Sequence, residues 1–595
     1  MADCFLKTVN GRPCFDIGGR IEYPLGYMTY FNENNRYAGF YAAGYRIFFV
    51  NAYFTSLPIN SGTGFTPCRD KGIFDGEEPF YGGFDGEVEA LLAAAPGALI
   101  IPRVYIAMPQ RWIDSHPDDC VHAKDAFRGG GVVRRESHLS PEYRDEGERL
   151  LRKFIAHVRS APYADRVVGY HLSGGNTQEW MYFDMNGGVC PKTPELFGEY
   201  LCSVDPQRAP GPQSVPGDGE FTGEGQITDP AARAYLEFIN RGMAATVSRF
   251  CRAVKECVDR RQVVGVFYGY VQEQTSSFFG TMGMEWLIDD ENVDFFSSPV
   301  SYFHTRPLGR DWGEMTCGES VRARGKLYFL ENDVRTFLSR YPADSRPGCD
   351  PDRRYDSPVW LGPPTEEASG WAMEKSFVRQ LACKNGSWWF DMWGGWYDSH
   401  KLMDLAARLK ALADPARPAS GYRPELALVM DESFSRRIRS GDPLIRIQKR
   451  VKEELGNAGI PFDAVYSFDA DLAASYRAAL FPYPESYASP QALAAARLCR
   501  QNGAAVLFCD SIPDAASLRS RLVAAGVHCW CDSGDVIYFG DGLLCVHAAS
   551  PGVKTVRLPA PARVTPAFGG DTVTTSLLTL PMRLHETRTF TVDFV

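Results

Sequence analysis

"KLYFLENDVR" (residues 326–335) begins as a buried strand and ends in charge. Leu327 to Leu330 run without alternation into Glu331, Asn332 and Asp333, with Arg335 just beyond. An unbroken apolar run is what a strand covered on both faces requires. An acid cluster at its carboxyl end is what a barrel of parallel strands gathers at its catalytic mouth. That reading predicts seven companion strands, and the sequence supplies them: "IEYPLGYMTY" (21–30), "YRIFFVNA" (45–52), "ALIIPRVYIA" (98–107), "RVVGYHL" (166–172), "VVGVFYGY" (263–270), "VDFFSSP" (293–299) and "SWWFDMW" (387–393). Each is short, rich in β-branched or aromatic residues, and free of period-two alternation.

Amphipathic segments lie between these runs. "PEYRDEGERLLRKFIAHVRS" (141–160) opens with Ser140 as cap and Pro141 in the first turn, and sets Leu150, Leu151, Phe154, Ile155 and Val158 on one face. Residues 229–260 and 366–384 read the same way. Strands alternating with helices from residue 1 to 415 predict an α/β fold, a (β/α)8 TIM barrel enlarged by loop insertions, among them a long Pro/Gly/Asp-rich loop at 205–226. "DPARPASGYRP" (414–424) reads as a linker. Residues 421–540 follow as an open α/β domain with strands at "ELALVMD", "AALFPYP" and "AAVLFCD". Residues 541–595 alternate in the β manner and predict a small antiparallel domain.

Composition excludes several functions. The net charge of −10 is spread along the chain with no Lys/Arg run, so neither a nucleic-acid nor a membrane partner is expected. No basic-then-apolar leader opens the chain and no stretch reaches transmembrane length, which predicts a cytoplasmic protein. The 16 cysteines form no CxxC pair and read as reduced core thiols. The histidines show no HxxxH spacing, and neither GxGxxG nor GxxxxGK[ST] occurs, so no metal and no cofactor is expected. Aromatic residues reach 13%, the kind of surface on which sugar rings stack.

The residues ending the strands carry the chemistry. The fourth run leads to Glu179, next to Trp180, and the seventh ends on Glu331. Tyr302 follows the sixth run, Trp112 the third, and Trp388, Trp389, Trp393 and Trp396 belong to the eighth. Two carboxylates across an aromatic cleft are the minimum for cleaving a glycosidic bond. One must be a protonated acid, kept neutral by an apolar neighbour such as Trp180; the other must be ionised, with a donor such as Tyr302 or an arginine beside it. Asp333 and Arg335 read as a structural pair. Trp393 and Trp396, around two glycines, suit an open sugar platform. His171 and His304 read as hydrogen-bonded strand-end residues, and Ser173 lacks the first glycine of a nucleophile elbow.

An acid/base on strand four and a nucleophile on strand seven resembles the retaining glycoside hydrolases of clan A. "MPQRWIDSHPDD" (108–119), "VRRESHLSPEYRDEG" (133–147) and "GYHLSGGNTQEW" (169–180) resemble, in order, segments of the family 42 β-galactosidases and the related family 164 β-mannosidases. The resemblance implies Glu179 as acid/base, Glu331 as nucleophile, Arg134 or Arg135 on the sugar side, a trimerisation module at 421–540 and hence a homotrimer. Most clan A enzymes place Asn before the acid/base to hold the sugar's 2-hydroxyl; here Gln178 stands there, with Asn176 two residues earlier. The cysteine zinc cluster of some family 42 members is absent. The expected function is a retaining exo-β-glycosidase acting on small β-galactosides or β-mannosides. The alternatives are a carbohydrate-binding or regulatory protein on a glycosidase-like barrel, and an inverting glycosidase.

Overall fold

The structure, a computed structural model, describes residues 2–60, 63–123, 133–183, 189–302, 306–350, 352–418 and 421–595. Eight strands close a parallel barrel in chain order: β1 (Leu25–Met28), β2 (Ile47–Tyr53), β3 (Leu99–Tyr105), β4 (Gly169–Ser173), β5 (Val263–Phe267), β6 (Phe295–Ser297), β7 (Leu327–Asn332) and β8 (Gly386–Phe390). Every one falls inside or against a predicted run. The helix Pro141–Ser160 begins as expected, with Ser140 Oγ accepting from the Tyr143 amide at 3.2 Å, and buries Leu150, Leu151, Phe154, Ile155 and Val158.

Aromatic rings fill the barrel, which is a packed core and not a pore. Phe49 of β2 lies 4.6 Å from Trp388 of β8, and Phe329 of β7 lies 5.0 Å from the same indole. Room for that indole comes from Gly26 of β1, where a Cβ would stand 2.9 Å from the Ile47 carbonyl oxygen and 3.2 Å from the Trp388 Cβ. Much of the aromatic excess is therefore core, not sugar surface. His171 belongs to the same layer, 4.5 Å from Phe267 and 5.6 Å from Phe295. Neither of its ring nitrogens has a hydrogen-bond partner, contrary to the sequence reading, and burial holds the imidazole neutral, far below its ordinary pKa. His304 lies outside the described residues.

Three elements were not anticipated. Residues 4–22 form a three-stranded antiparallel sheet, Cys4–Val9, Arg12–Ile17 and Arg20–Glu22. From it Phe15 reaches Phe329, ring centroids 6.0 Å apart, and Arg12 makes a buried ion pair with Asp541 at 2.5 Å. A short hairpin, Cys120–Ala123 with Val133–Glu136, interrupts the barrel after β3. In the open α/β unit an additional parallel strand, Phe462–Tyr466, edges the sheet beside Leu426–Met430, Ala478–Phe481 and Ala505–Phe508. The C-terminal antiparallel sheet takes in Val536–Gly540 and Leu543–His547 together with Gly552–Pro566, Val573–Met582 and Thr587–Phe594. It docks on the barrel helix Glu366–Ala382, Thr589 donating to Glu374 at 2.7 Å. Among the described residues no helix is long and apolar enough to cross a membrane.

Candidate active site

Glu331 is the fifth residue of β7 and 3% exposed. Its partner is Arg103 of β3, whose Nη1 donates to Oε2 at 2.9 Å. Arg103 is itself buried, lies 4.5 Å over the Phe267 ring and donates through Nη2 to the Tyr30 hydroxyl at 3.3 Å. A charge of this kind survives burial only when paired and hydrogen-bonded. Asp333, two residues on, accepts from the Tyr302 hydroxyl at 2.9 Å and from Arg335 Nη1 at 2.8 Å, and pairs with Arg306 at 2.5 Å. Burial alone would raise Asp333, but the two guanidiniums outweigh it and hold the carboxyl below its ordinary value.

Glu179 sits on the loop after β4. The backbone turns sharply there: Thr177, Gln178 and Trp180 have φ of 57°, 67° and 51°. Left-handed backbone at such residues costs about 1–3 kcal/mol each and persists only where surroundings over-determine it. The loop is pinned by the Asn176 amide on the Met181 carbonyl at 2.7 Å, the Trp180 amide on Gly174 at 2.7 Å, and the Tyr105 hydroxyl on Gly175 at 3.2 Å. Gly175 permits this approach, since a Cβ there would stand 2.2 Å from the Met181 carbonyl oxygen. The Glu179 carboxyl accepts from Thr177 Oγ1 at 2.6 Å and from the Tyr270 hydroxyl at 3.1 Å.

Both carboxyls are displaced upward. Burial pushes Glu179 to about 7, against the Thr177 and Tyr270 hydrogen bonds. Burial pushes Glu331 to about 8, against Arg103, with the charges of Asp333 and Glu179 adding to the rise. Both carboxyls are thus raised to where a proton is exchanged near neutrality. Among the described residues a guanidinium touches Glu331 while hydroxyls touch Glu179; this direct ion pair favours the charge on Glu331 and the proton on Glu179, against the larger rise that burial and neighbouring acids give Glu331. The hydroxyls of Tyr30, Tyr270 and Tyr355 all lie within electrostatic reach of both carboxylates.

Several sequence-predicted residues stand elsewhere. Trp180 points into the core, against Phe250 and His138, with its Nε1 donating to the Leu172 carbonyl at 3.1 Å. The ring that reaches the Glu179 carboxyl is Tyr270, through its hydroxyl. Tyr302 donates to Asp333, not to Glu331. Arg135 is buried on the Pro58 carbonyl, Glu136 and Tyr105 and stacks on Phe183 at 4.0 Å, while Arg134 pairs with Asp114. Trp112 stacks on His116, 4.4 Å between rings. Trp393 and Trp396 are not an open platform: they are 0% and 1% exposed, Trp393 packed among Phe31, Phe65, Tyr355 and Trp360 and Trp396 edge-on against Trp393. Gln178 is fully buried and neither amide atom has a hydrogen-bond partner.

Sequence reasoning missed Arg103, Tyr270 and Thr177. Arg103 had a signal, a lone cation inside the apolar run 98–107. Tyr270 had another, as the last residue of its run. Thr177 gave none, because its contact depends on the left-handed turn. Among the described residues no group of three or more His, Cys, Asp or Glu side chains converges as a metal site would require.

No known family profile matches the sequence, and no curated protein matches it significantly. Solved structures do resemble it. The β-galactosidase of the psychrophilic Marinomonas ef1 superposes with a TM-score of 0.59 at 12% identity, over 95% of this chain and 99% of that one. Gan42B, a family 42 β-galactosidase of G. stearothermophilus, gives 0.61 at 10% identity, over 96% and 98%. The enzyme of the Antarctic haloarchaeon Halorubrum lacusprofundi gives 0.57 at 14% identity, over 95% and 98%. The chain shares the barrel fold of these enzymes. Its order of domains also resembles that of these β-galactosidases over nearly its whole length.

Proposed function

We propose that the protein is a glycoside hydrolase, a retaining exo-β-glycosidase that works by double displacement. The observation that carries this reading is the unequal pair: Glu331 bonded to Arg103, Glu179 bonded only to hydroxyls. Glu331 attacks the anomeric carbon and forms a glycosyl ester, while Glu179 gives its proton to the departing glycosidic oxygen. Glu179 then removes a proton from water, the water oxygen bonds to the anomeric carbon, the ester breaks, and Glu331 returns as carboxylate. The proton poise near neutrality suits Glu179 to both steps.

The unpartnered Gln178 amide takes the place that clan A gives to Asn, and the indoles of Trp393 and Trp396, covered by other rings, back the sugar-binding wall from behind. Following the resemblance, the terminal sugar has the galacto or manno configuration. The sixteen cysteines all carry free thiols, which supports a reducing, cytoplasmic setting. The α/β unit supports a homotrimer, which light scattering at micromolar concentration would test; a strictly monomeric mass would refute it. The activity test is a panel of nitrophenyl α- and β-glycosides with purified protein. Turnover confined to β-glycosides, and lost in Glu331→Gln, is expected. Binding of sugars without turnover of any aryl glycoside would favour the carbohydrate-binding alternative.

A further inference from the structure

Arg335 follows β7 and is 5% exposed, yet only one of its nitrogens is engaged. Nη1 donates to the Asp333 carboxylate and to its carbonyl, both within 2.9 Å. Among the described residues Nε and Nη2 have no partner at hydrogen-bond geometry, although the Tyr302 hydroxyl lies near enough to act on the guanidinium. Those two atoms form the side-on fork of a guanidinium, the edge whose parallel N–H groups match the two oxygens of a carboxylate. A buried cation with an empty fork is costly unless something completes it.

The surroundings of the fork point the same way. The guanidinium lies 5.0 Å over Trp360, 5.3 Å over Tyr302 and 5.7 Å over Trp396. Trp396 and Trp393 follow in contact, and each has a buried Nε1 without an acceptor. Gln178 Nε2, beside the acid/base residue, is unpartnered too. Tyr355, which feels Glu179, Arg335 and Glu331 together, ties the cluster to the catalytic pair. Apart from Gln178 Oε1, these unpartnered atoms are donors. A neutral hydroxyl gives as well as takes hydrogen bonds, whereas a carboxylate only accepts, through about four lone-pair sites.

The local charges agree. Asp333 is shared by two guanidiniums, Arg306 and Arg335, and the three nitrogens of Arg306 are all engaged on Asp333 and nearby carbonyls. Asp391, the acid at the end of β8, is held by Tyr27 and by the amides of Gly395 and Trp396. Among the described residues the buried Nε–Nη2 edge of Arg335 is left without an acceptor.

We propose that this edge receives the carboxylate of the substrate, so that the terminal β-linked sugar is a hexuronic acid and Arg335 is the residue that selects it. The proposal rests on the glycosidase reading above. The test compares nitrophenyl β-glucuronide and β-galacturonide with the corresponding β-glucoside and β-galactoside. A uronide should be preferred by about 10²-fold in kcat/KM, the scale of a charge-assisted hydrogen-bond pair. Arg335→Gln should collapse that ratio towards one, and Arg335→Lys, which keeps the charge and loses the fork, should fall between. A neutral hexoside preferred by the wild type, or a ratio unmoved in Arg335→Gln, would overturn the proposal and leave the glycosidase reading standing. Calorimetry of free glucuronate and galacturonate against glucose and galactose, on the wild-type protein, decides independently of turnover and of whether the variants fold. Tighter binding of a hexuronate supports the proposal; equal binding or none overturns it.

Discussion

Replacing Glu179 with Gln should make the protein more stable at alkaline pH while removing its acid/base group. The Glu179 carboxyl is raised by burial from its ordinary 4.5 to about 7. A carboxyl whose folded pKa lies above its unfolded value binds its proton more tightly in the folded state. It therefore withdraws stability as pH rises through that interval, with the full cost above about 7 and none below about 4. The rise corresponds to a penalty of about 3 kcal/mol at pH 8, falling to under about 1 kcal/mol at pH 5. Gln carries no charge and can still meet the Thr177 and Tyr270 hydroxyls. Urea unfolding followed by tryptophan fluorescence is the assay. Ten of the eleven tryptophans lie before residue 415, so the signal reports the barrel. A stability gain at pH 8 that shrinks to near nothing at pH 5 is expected. A gain equal at both pH values, or a loss at pH 8, would refute a neutralised acid at this position.

Glu179→Gln should retain the first chemical step on an activated aryl β-glycoside, and azide should accelerate release as the β-glycosyl azide; an α-azide, seen by NMR, would indicate inversion. Arg103→Gln should cut kcat/KM at pH 7 by more than about 10²-fold, because a buried carboxylate loses its only cation. The acid limb of its pH profile should also move to higher pH, and an unmoved limb would show that Arg103 does not set the charge on Glu331. Trp393→Ala should cost about 3–5 kcal/mol in urea unfolding, the scale for deleting a buried aromatic ring. It should also lower kcat/KM; unchanged kinetics would remove Trp393 from the sugar wall.

The barrel was legible because each of its strands is covered on both faces and so reads as an apolar run bounded by polar residues. The strand Phe462–Tyr466 escaped notice because it is an edge strand broken by Asp463, half-buried at its start. The N-terminal sheet escaped because its meaning is tertiary: Arg12 is explained by Asp541 and by the Arg417 and Pro418 carbonyls, over four hundred residues away. At the site, strand-end position alone singled out Glu179 and Glu331. Side-chain direction was not legible. Trp180 adjoins Glu179 in sequence but turns to the opposite side, as the left-handed backbone at 177, 178 and 180 dictates. Trp393 and Trp396 looked exposed from their flanking glycines, yet other aromatic rings cover them. Arg103 was hidden by the rule that cations avoid cores, a rule that lapses wherever a buried carboxylate waits opposite.

The central claim is that Glu331 becomes covalently bonded to the sugar. A 2-deoxy-2-fluoro-β-glycoside of whichever sugar is turned over, carrying a dinitrophenolate leaving group, would trap that ester. Mass spectrometry of the intact protein and of its peptides would locate it. One sugar per chain on the peptide containing Glu331, absent from Glu331→Gln, is the expected result. No adduct, or an adduct on any other residue, would contradict the account.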